Sequence, residues 1–320
     1  MRPGTLQGWR CDSHDYCEPC FYMVTVTALN RKSLFAECCD GESHYSEEGK
    51  VVFETWRSIP KKFPQIETST LVVMPDHVHG ILHVKERMLQ PLGMAVRYFK
   101  SLVTSQLRVR NNNPNLHVWN KGFHDTVVYR KGMLKALSEY IRDNPRRLCM
   151  KRANSHLFTR VGNLVHTRLP KSEQWQGYGN LFLLDKPLLV NVRVSRSVTP
   201  EEIERLGHEV RGAVRQGAVV VSPFISAGEK AIAEMIMELE CGELILMKHV
   251  GFEEHYKPSG KYFDLCAAGR LLILSAFPST AGKIELSRKI CLAMNRWCEA
   301  ISETEVEREQ ECPSAAICLQ

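Results

Sequence analysis

The sequence predicts an α+β protein in two parts, an N-terminal antiparallel sheet with helices on one face and a C-terminal parallel α/β unit. Three observations carry this reading. Strand-like runs dominate the first 130 residues, strand and helix patterns alternate regularly after residue 188, and charge divides between the halves. Residues 1–175 hold 26 Lys and Arg against 16 Asp and Glu, whereas residues 176–320 hold 16 against 20, so only the first part suits an anionic partner. A length of 320 residues exceeds one ordinary domain, and 44% hydrophobic with 24% charged residues excludes a disordered or collagen-like chain.

Residues 22–29 (YMVTVTAL) combine β-branched and aromatic types, as a strand does, and Asn30-Arg31-Lys32 ends them. Val51, Val52 and Trp56 recur at helical intervals within 46–58. The stretch 66–84, broken at Pro75-Asp76, reads as two strands joined by a tight turn. Pro91 opens a helix carrying Met94, Tyr98, Leu102 and Leu107. Residues 123–129 (FHDTVVY) form the last strand, and Leu134, Leu137 and Ile141 mark a helix over 131–144. Strand, helix, two strands, helix, strand, helix is the order of a ferredoxin-like domain, assigned here to residues 1–151.

Residues 152–187 show no clear period and read as a linker. Beyond them, residues 188–305 form the α/β, Rossmann-like domain. Thr199-Pro200-Glu201-Glu202 is a capping box with proline at the first helical position; Ala218 to Val221 is a buried strand. Ser226 and Glu229 cap a helix over 227–240, and the strands 243–248 and 271–277 precede a helix bearing Ile290, Met294, Trp297 and Ile301. Residues 306–320 are expected to be a flexible tail. The loops at 219–234 and 257–262 have a composition that could bind phosphate, but neither holds a dinucleotide fingerprint or a P-loop, and the capping box already accounts for Ser226 and Glu229.

No apolar run approaches the ~18 residues of a membrane span, and Asp12, Asp15 and Glu18 interrupt the first twenty residues, so a cytoplasmic, nucleoid-associated protein is expected. The twelve scattered cysteines read as reduced. Cys11, His14, Cys17 and Cys20 have zinc-compatible intervals, but no second pair closes the set.

The sharpest motif is MPDHVHGILHV at 74–84. In an extended strand, His77 and His79 share one face while Val78 and Leu82 take the other. Such a pair chelates a metal only when a third ligand converges, and two ordinary surface histidines stay the alternative. On the helix at 131–144, Tyr140 and Asn144 lie four apart and hence on one face. Pro145 predicts that the helix ends at Asn144 with its amide exposed. Taken singly, Asn144 reads as a helix end and Tyr140 as a packing aromatic. His83 shares the histidine face and is assigned to packing or support.

Together these residues resemble the single-tyrosine HUH transposases, and within them the REP-associated tyrosine transposases. The resemblance rests on MVTVTALNRKSLF (23–35), VVMPDHVHGILHV (72–84), FKS (99–101) and VWNKGFHDTVVYRKGMLKALSEYIRDNPRRL (118–148), in the family's order over about residues 15–150. It implies that His77, His79 and Asn144 bind a divalent metal, Mg²⁺ or Mn²⁺, and that Tyr140 is the nucleophile. It also implies a nickase and strand-transferase acting on single-stranded or hairpin DNA through a 5′-phosphotyrosine. Asp76 stands where many members have Asn, a departure confined to the turn. Arg97, Lys100, Arg142, Arg146 and Arg147 are the expected DNA contacts, with a solvated positive face as their plain alternative. Either one subunit or a homodimer could build the site. A non-catalytic DNA-binding regulator derived from a transposase is the alternative function. A barrel-type amidohydrolase is set aside, because eight strand-helix units are not present.

Overall fold

A computed structural model describes residues 14–195, 197–254, 256–279 and 285–304. The chain divides into two compact units, residues 1–153 and 154–320.

The first unit is built on a four-stranded sheet of β1 (Cys20–Thr27), β4 (Ile66–Val73), β5 (His77–Val84) and β6 (His124–Val128), in the order β4-β5-β1-β6 with every neighbour antiparallel. A small hairpin, β2 (Ala36–Cys39) and β3 (Glu42–Tyr45), follows β1 and carries a left-handed Asp40-Gly41 turn. Its strands are too short to show a period in the sequence. The helices are α1 (Glu47–Arg57), the single turn α2 (Ile59–Lys62), α3 (Gly93–Arg110) and α4 (Met133–Ala153). Ser46 caps α1 by accepting the Gly49 amide, which agrees with the helix expected over 46–58.

Alternation along the central strands sorts two apolar layers. Val24 and Val26 of β1 and Val78, Leu82 and Val84 of β5 pack with Val52 and Trp56 of α1 and Val96, Phe99 and Val103 of α3. Ile81 and Met23 face the other way, into a smaller cluster with Val72, Met74 and Ile141. The mixed α+β architecture with an antiparallel sheet is as expected, but the helices do not all share one face: α4 covers the side opposite α1 and α3. The reason lies in α4 itself, whose Leu134, Tyr140, Ile141 and Leu148 pack on this second cluster.

A second correction concerns the end of α4. It does not stop at Asn144 but runs through Pro145 to Ala153. An interior proline removes one helical hydrogen bond and costs roughly 3 kcal/mol in an isolated helix. Here apolar contacts on both sides offset it, since Ile141 and Pro145 are buried and Leu148 and Cys149 join the cluster. Packing has overridden a local rule.

The second unit holds a six-stranded sheet in the order β7-β8-β12-β11-β10-β9. Its strands are β7 (Arg160–Leu164), β8 (Trp175–Gly179), β9 (Leu189–Asn191), β10 (Val219–Ser222), β11 (Glu243–Met247) and β12 (Leu271–Ser275). β9 to β12 run parallel, connected by α5 (Pro200–Arg215), α6 (Ala227–Met237) and α7 (Lys261–Ala267), while β8 joins β12 antiparallel and β7 joins β8 antiparallel. The helix α8 (Arg288–Glu303) buries Met294, Cys298 and Ile301 against Val219, Val221, Ile245 and Leu272.

Residues 154–187 are therefore part of this unit rather than a linker, and the sheet is mixed rather than wholly parallel. Arg168, 2% exposed, helps tie the segment down by donating to the carbonyls of Leu184 (2.9 Å), Lys186 (2.9 Å) and Ile301 (3.2 Å). A lone arginine amid aperiodic residues gives no sequence signal of such a role. Both capping boxes form; Glu229 also accepts the Ile225 amide at 2.6 Å, so its carboxylate already fills the mouth of the 219–234 loop. The 257–262 stretch, a loop by its composition, leads into α7, whose first turn takes up Lys261 and Tyr262. The expected tail at 306–320 lies outside the described residues.

Gly80 of β5 lies against the Trp56 indole, and an added Cβ would come within 2.4 Å of its ring. Gly80→Ala should therefore destabilise the chain by about 1–3 kcal/mol through overpacking, read as a lowered urea midpoint. An unchanged midpoint would show that the ring relaxes freely.

Candidate active site

Pairing in the sheet builds one face from three strands. His77, His79, Ile81 and His83 of β5 stand opposite Thr27, Thr25, Met23 and Phe21 of β1, and Thr25 stands opposite His124 of β6. Directly opposed residues point the same way, so the histidine pair, Thr25, Thr27 and His124 share a face. That face is the one α4 crosses.

The two imidazole rings meet edge to face with centroids 4.5 Å apart. Each is held through Nδ1. His77 Nδ1 is 2.6 Å from Asp76 Oδ1, and His79 Nδ1 is 2.7 Å from Thr25 Oγ1. Burial pulls the Asp76 carboxyl upward, but the hydrogen bond and charge of His77, with Arg31 at 3.3 Å, outweigh it and leave the pKa below the usual value. An ionised carboxylate only accepts, so Nδ1 of His77 is the donor. His79 is buried, 8% exposed.

Tyr140 comes to the same place from α4, its ring centroid 6.0 Å from that of His79. Asn144 lies one turn further along and donates Nδ2 to the Tyr140 carbonyl at 3.0 Å, so the atom it retains for a cation is Oδ1. The amide is thus not at a helix end. It sits inside α4, beside the proline that interrupts the backbone ladder. His77, His79 and Tyr140 converge, with Asn144 carried on the same helix as Tyr140.

The donor set suits a divalent cation. Two imidazoles anchored by oxygen partners on their far nitrogens are the usual outer-shell arrangement of histidine ligands, and an amide oxygen is a hard donor. Among the described residues there is no group of three or more His, Cys, Asp or Glu that could hold a metal.

The expected DNA contacts fare differently from one another. Arg97 and Arg142 are exposed. Arg146 grips Asp143 through Nε (2.5 Å) and Nη2 (3.0 Å), and Arg147 Nε lies 3.0 Å from the same carboxylate with its guanidinium 5.9 Å from the Tyr140 ring centre. One aspartate thus offsets part of the charge read from the sequence. Lys100 is not a free cation either. It donates to the carbonyls of Asn120 and Gly122, both at 2.7 Å, and burial lowers its pKa. It is a strut for the segment leading into β6.

His83 stacks on Phe21 with centroids 3.8 Å apart, in keeping with packing. Cys11 lies outside the described residues; His14 bonds the Tyr22 hydroxyl at 2.8 Å, and Cys20 Sγ contacts the Phe21 and Val128 carbonyls. Sequence reading missed Thr25 and His124, because cross-strand partners appear only once register is known. Burial, with the charge of Arg31, lowers the His124 pKa against the pull of Asp125, which favours its neutral form.

If Lys100 is a strut, Lys100→Met should cost about 1–3 kcal/mol in urea unfolding, because two carbonyls lose their donor. A purely phosphate-contacting lysine would leave stability unchanged.

No family model matches the chain. An uncharacterized protein of Haemophilus influenzae is 27% identical over 156 residues, spanning 42% of this chain and 86% of that protein. Among solved structures, a REP-associated tyrosine transposase bound to a REP hairpin is 16% identical, covers 43% of this chain and 74% of that one, and has a TM-score of 0.34. DNA processing protein A of Helicobacter pylori, described in a single-stranded DNA binding mode, is 23% identical, covers 45% of this chain and 66% of that one, and has a TM-score of 0.35. Each likeness spans less than half of this chain. No helix among the described residues is long and apolar enough to cross a membrane.

Proposed function

We propose that the first unit is a metal-dependent nickase and strand-transferase for single-stranded or hairpin DNA, with Tyr140 as nucleophile. The observation that carries this reading is the placement of Tyr140 beside His79, whose ring meets that of His77, with Nδ1 of each histidine held by an oxygen partner. The motif resemblance to single-tyrosine HUH transposases supplies the reaction class, and His77, His79 and Asn144 are the residues that would hold the metal.

A bound Mg²⁺ or Mn²⁺ would polarise the scissile phosphate and ease charge build-up on its oxygens. Tyrosine has a reference pKa near 10, so the phenol is a weak nucleophile until its proton is removed. Tyr140 Oη attacks phosphorus; the bond from phosphorus to the 3′-oxygen breaks, the phenol loses its proton and the departing 3′-oxygen gains one. The product is a 5′-phosphotyrosine and a free 3′-hydroxyl. Because the phosphoester is kept, attack by another 3′-hydroxyl rejoins strands without a nucleotide cofactor. Anchoring of α4 on the sheet by Ile141 and Leu148 fixes where the phenol can reach.

Two outcomes test this. Tyr140→Phe should abolish the covalent protein–DNA adduct on a labelled hairpin oligonucleotide with Mn²⁺ while retaining binding; adduct in the variant would refute the nucleophile, and binding without cleavage by the wild type would favour a regulator. Thr25→Val removes the oxygen that holds His79, and should weaken Mn²⁺ binding by about 10- to 100-fold in calorimetric titration. Unaltered affinity would remove Thr25 from the site.

A further inference from the structure

A groove of about 900 Å³ lies between α3 and the segment 112–119, and the histidine pair is not among its lining residues. Arg97, Arg108 and His117 line it with Ser101, Ser105 and Asn112, and no carboxylate is present among its described lining residues. Cations with hydroxyl and amide donors, unopposed by acid, are the surface chemistry of a phosphate backbone.

Two features make the groove more than a positive patch. Arg108 is fixed in place: its Nε donates to the Leu116 carbonyl at 3.0 Å, which lowers the ordering cost of gripping an anion with the remaining guanidinium nitrogens. The groove also leads toward the candidate site. Trp119 lies in its wall, the next residue Asn120 donates to Thr27 Oγ1 at 3.2 Å, and Thr27 is the cross-strand partner of His77. The wall adds apolar surface at Val109, 81% exposed, and at the half-buried Trp119. Aromatic and apolar surface of this kind is useful to unpaired bases, whose faces are open, and not to a closed duplex.

We propose that this groove is the track for the backbone of a DNA single strand flanking the phosphate presented to Tyr140. The proposal rests on the function proposed above and assigns it a second contact surface, to which Arg97 belongs and in which Lys100 shapes the wall through the loop carbonyls it holds.

The test uses the full chain and a fluorescent oligonucleotide with a hairpin and a single-stranded extension, titrated over a range of salt. Arg97→Glu, and separately Ser105→Glu, should each weaken binding by about tenfold, and Arg97→Glu should make the slope of log affinity against log salt shallower by about one unit. Both positions are exposed, so folding is not at stake. Lys61→Glu, an exposed residue outside the groove with the same charge change as Arg97→Glu, should leave affinity within about twofold. Wild-type affinity and slope in both groove variants would overturn the proposal, as would an equal loss in Lys61→Glu. The wild-type adduct is read in the same samples. Adduct with undiminished affinity in the groove variants discards the groove and keeps the chemistry; groove-dependent binding without adduct keeps the groove and discards the nucleophile.

Discussion

The site depends on the strict alternation of β5. This strand lies inside the sheet, paired on both edges, so its register cannot slip without exposing Val78, Leu82 and Val84 and driving histidines into the layer beneath α1 and α3. Burial of one set of residues thereby fixes the direction of the other. Gly80 tightens the arrangement, since only a glycine lets Trp56 pack so closely against the strand. The same constraint sets the positions of Thr25 and His124, which face the histidines because β1 and β6 are held in register with β5.

α4 completes the site by covering what would otherwise be an open sheet face. Its apolar stripe seats on Val72, Met74 and Ile81, and Tyr140 is brought to His79 by the same contacts that carry the helix past Pro145. Asp143, next to Asn144, pairs with both Arg146 and Arg147. The Arg147 guanidinium is thereby held 5.9 Å from the Tyr140 ring centre.

Much of this was legible from residue order. The turn at Pro75-Asp76, the helix of Val52 and Trp56 and the paired histidines all have local signals, and β5 follows its pattern residue by residue. What was not legible depends on contacts distant in sequence. The far-face packing of α4, its passage through Pro145 and the partners of Lys100 each arise from groups that local rules cannot see. In the second unit, β7 and β8 are short edge-side strands without alternation, and the buried Arg168 that helps organise them satisfies carbonyls up to 136 residues away. Charge was the least informative guide. It identified the basic half correctly but could not distinguish a strut from an exposed cation.

The proposed function requires β5 and α4 together to hold one cation beside the Tyr140 phenol. Anomalous diffraction from crystals soaked in Mn²⁺ tests it most directly. The expected result is a single strong peak within ligand distance of both His77 and His79 and of Asn144 Oδ1, with Tyr140 Oη adjacent. A peak elsewhere, or a Tyr140 hydroxyl turned away into the apolar cluster, would contradict it.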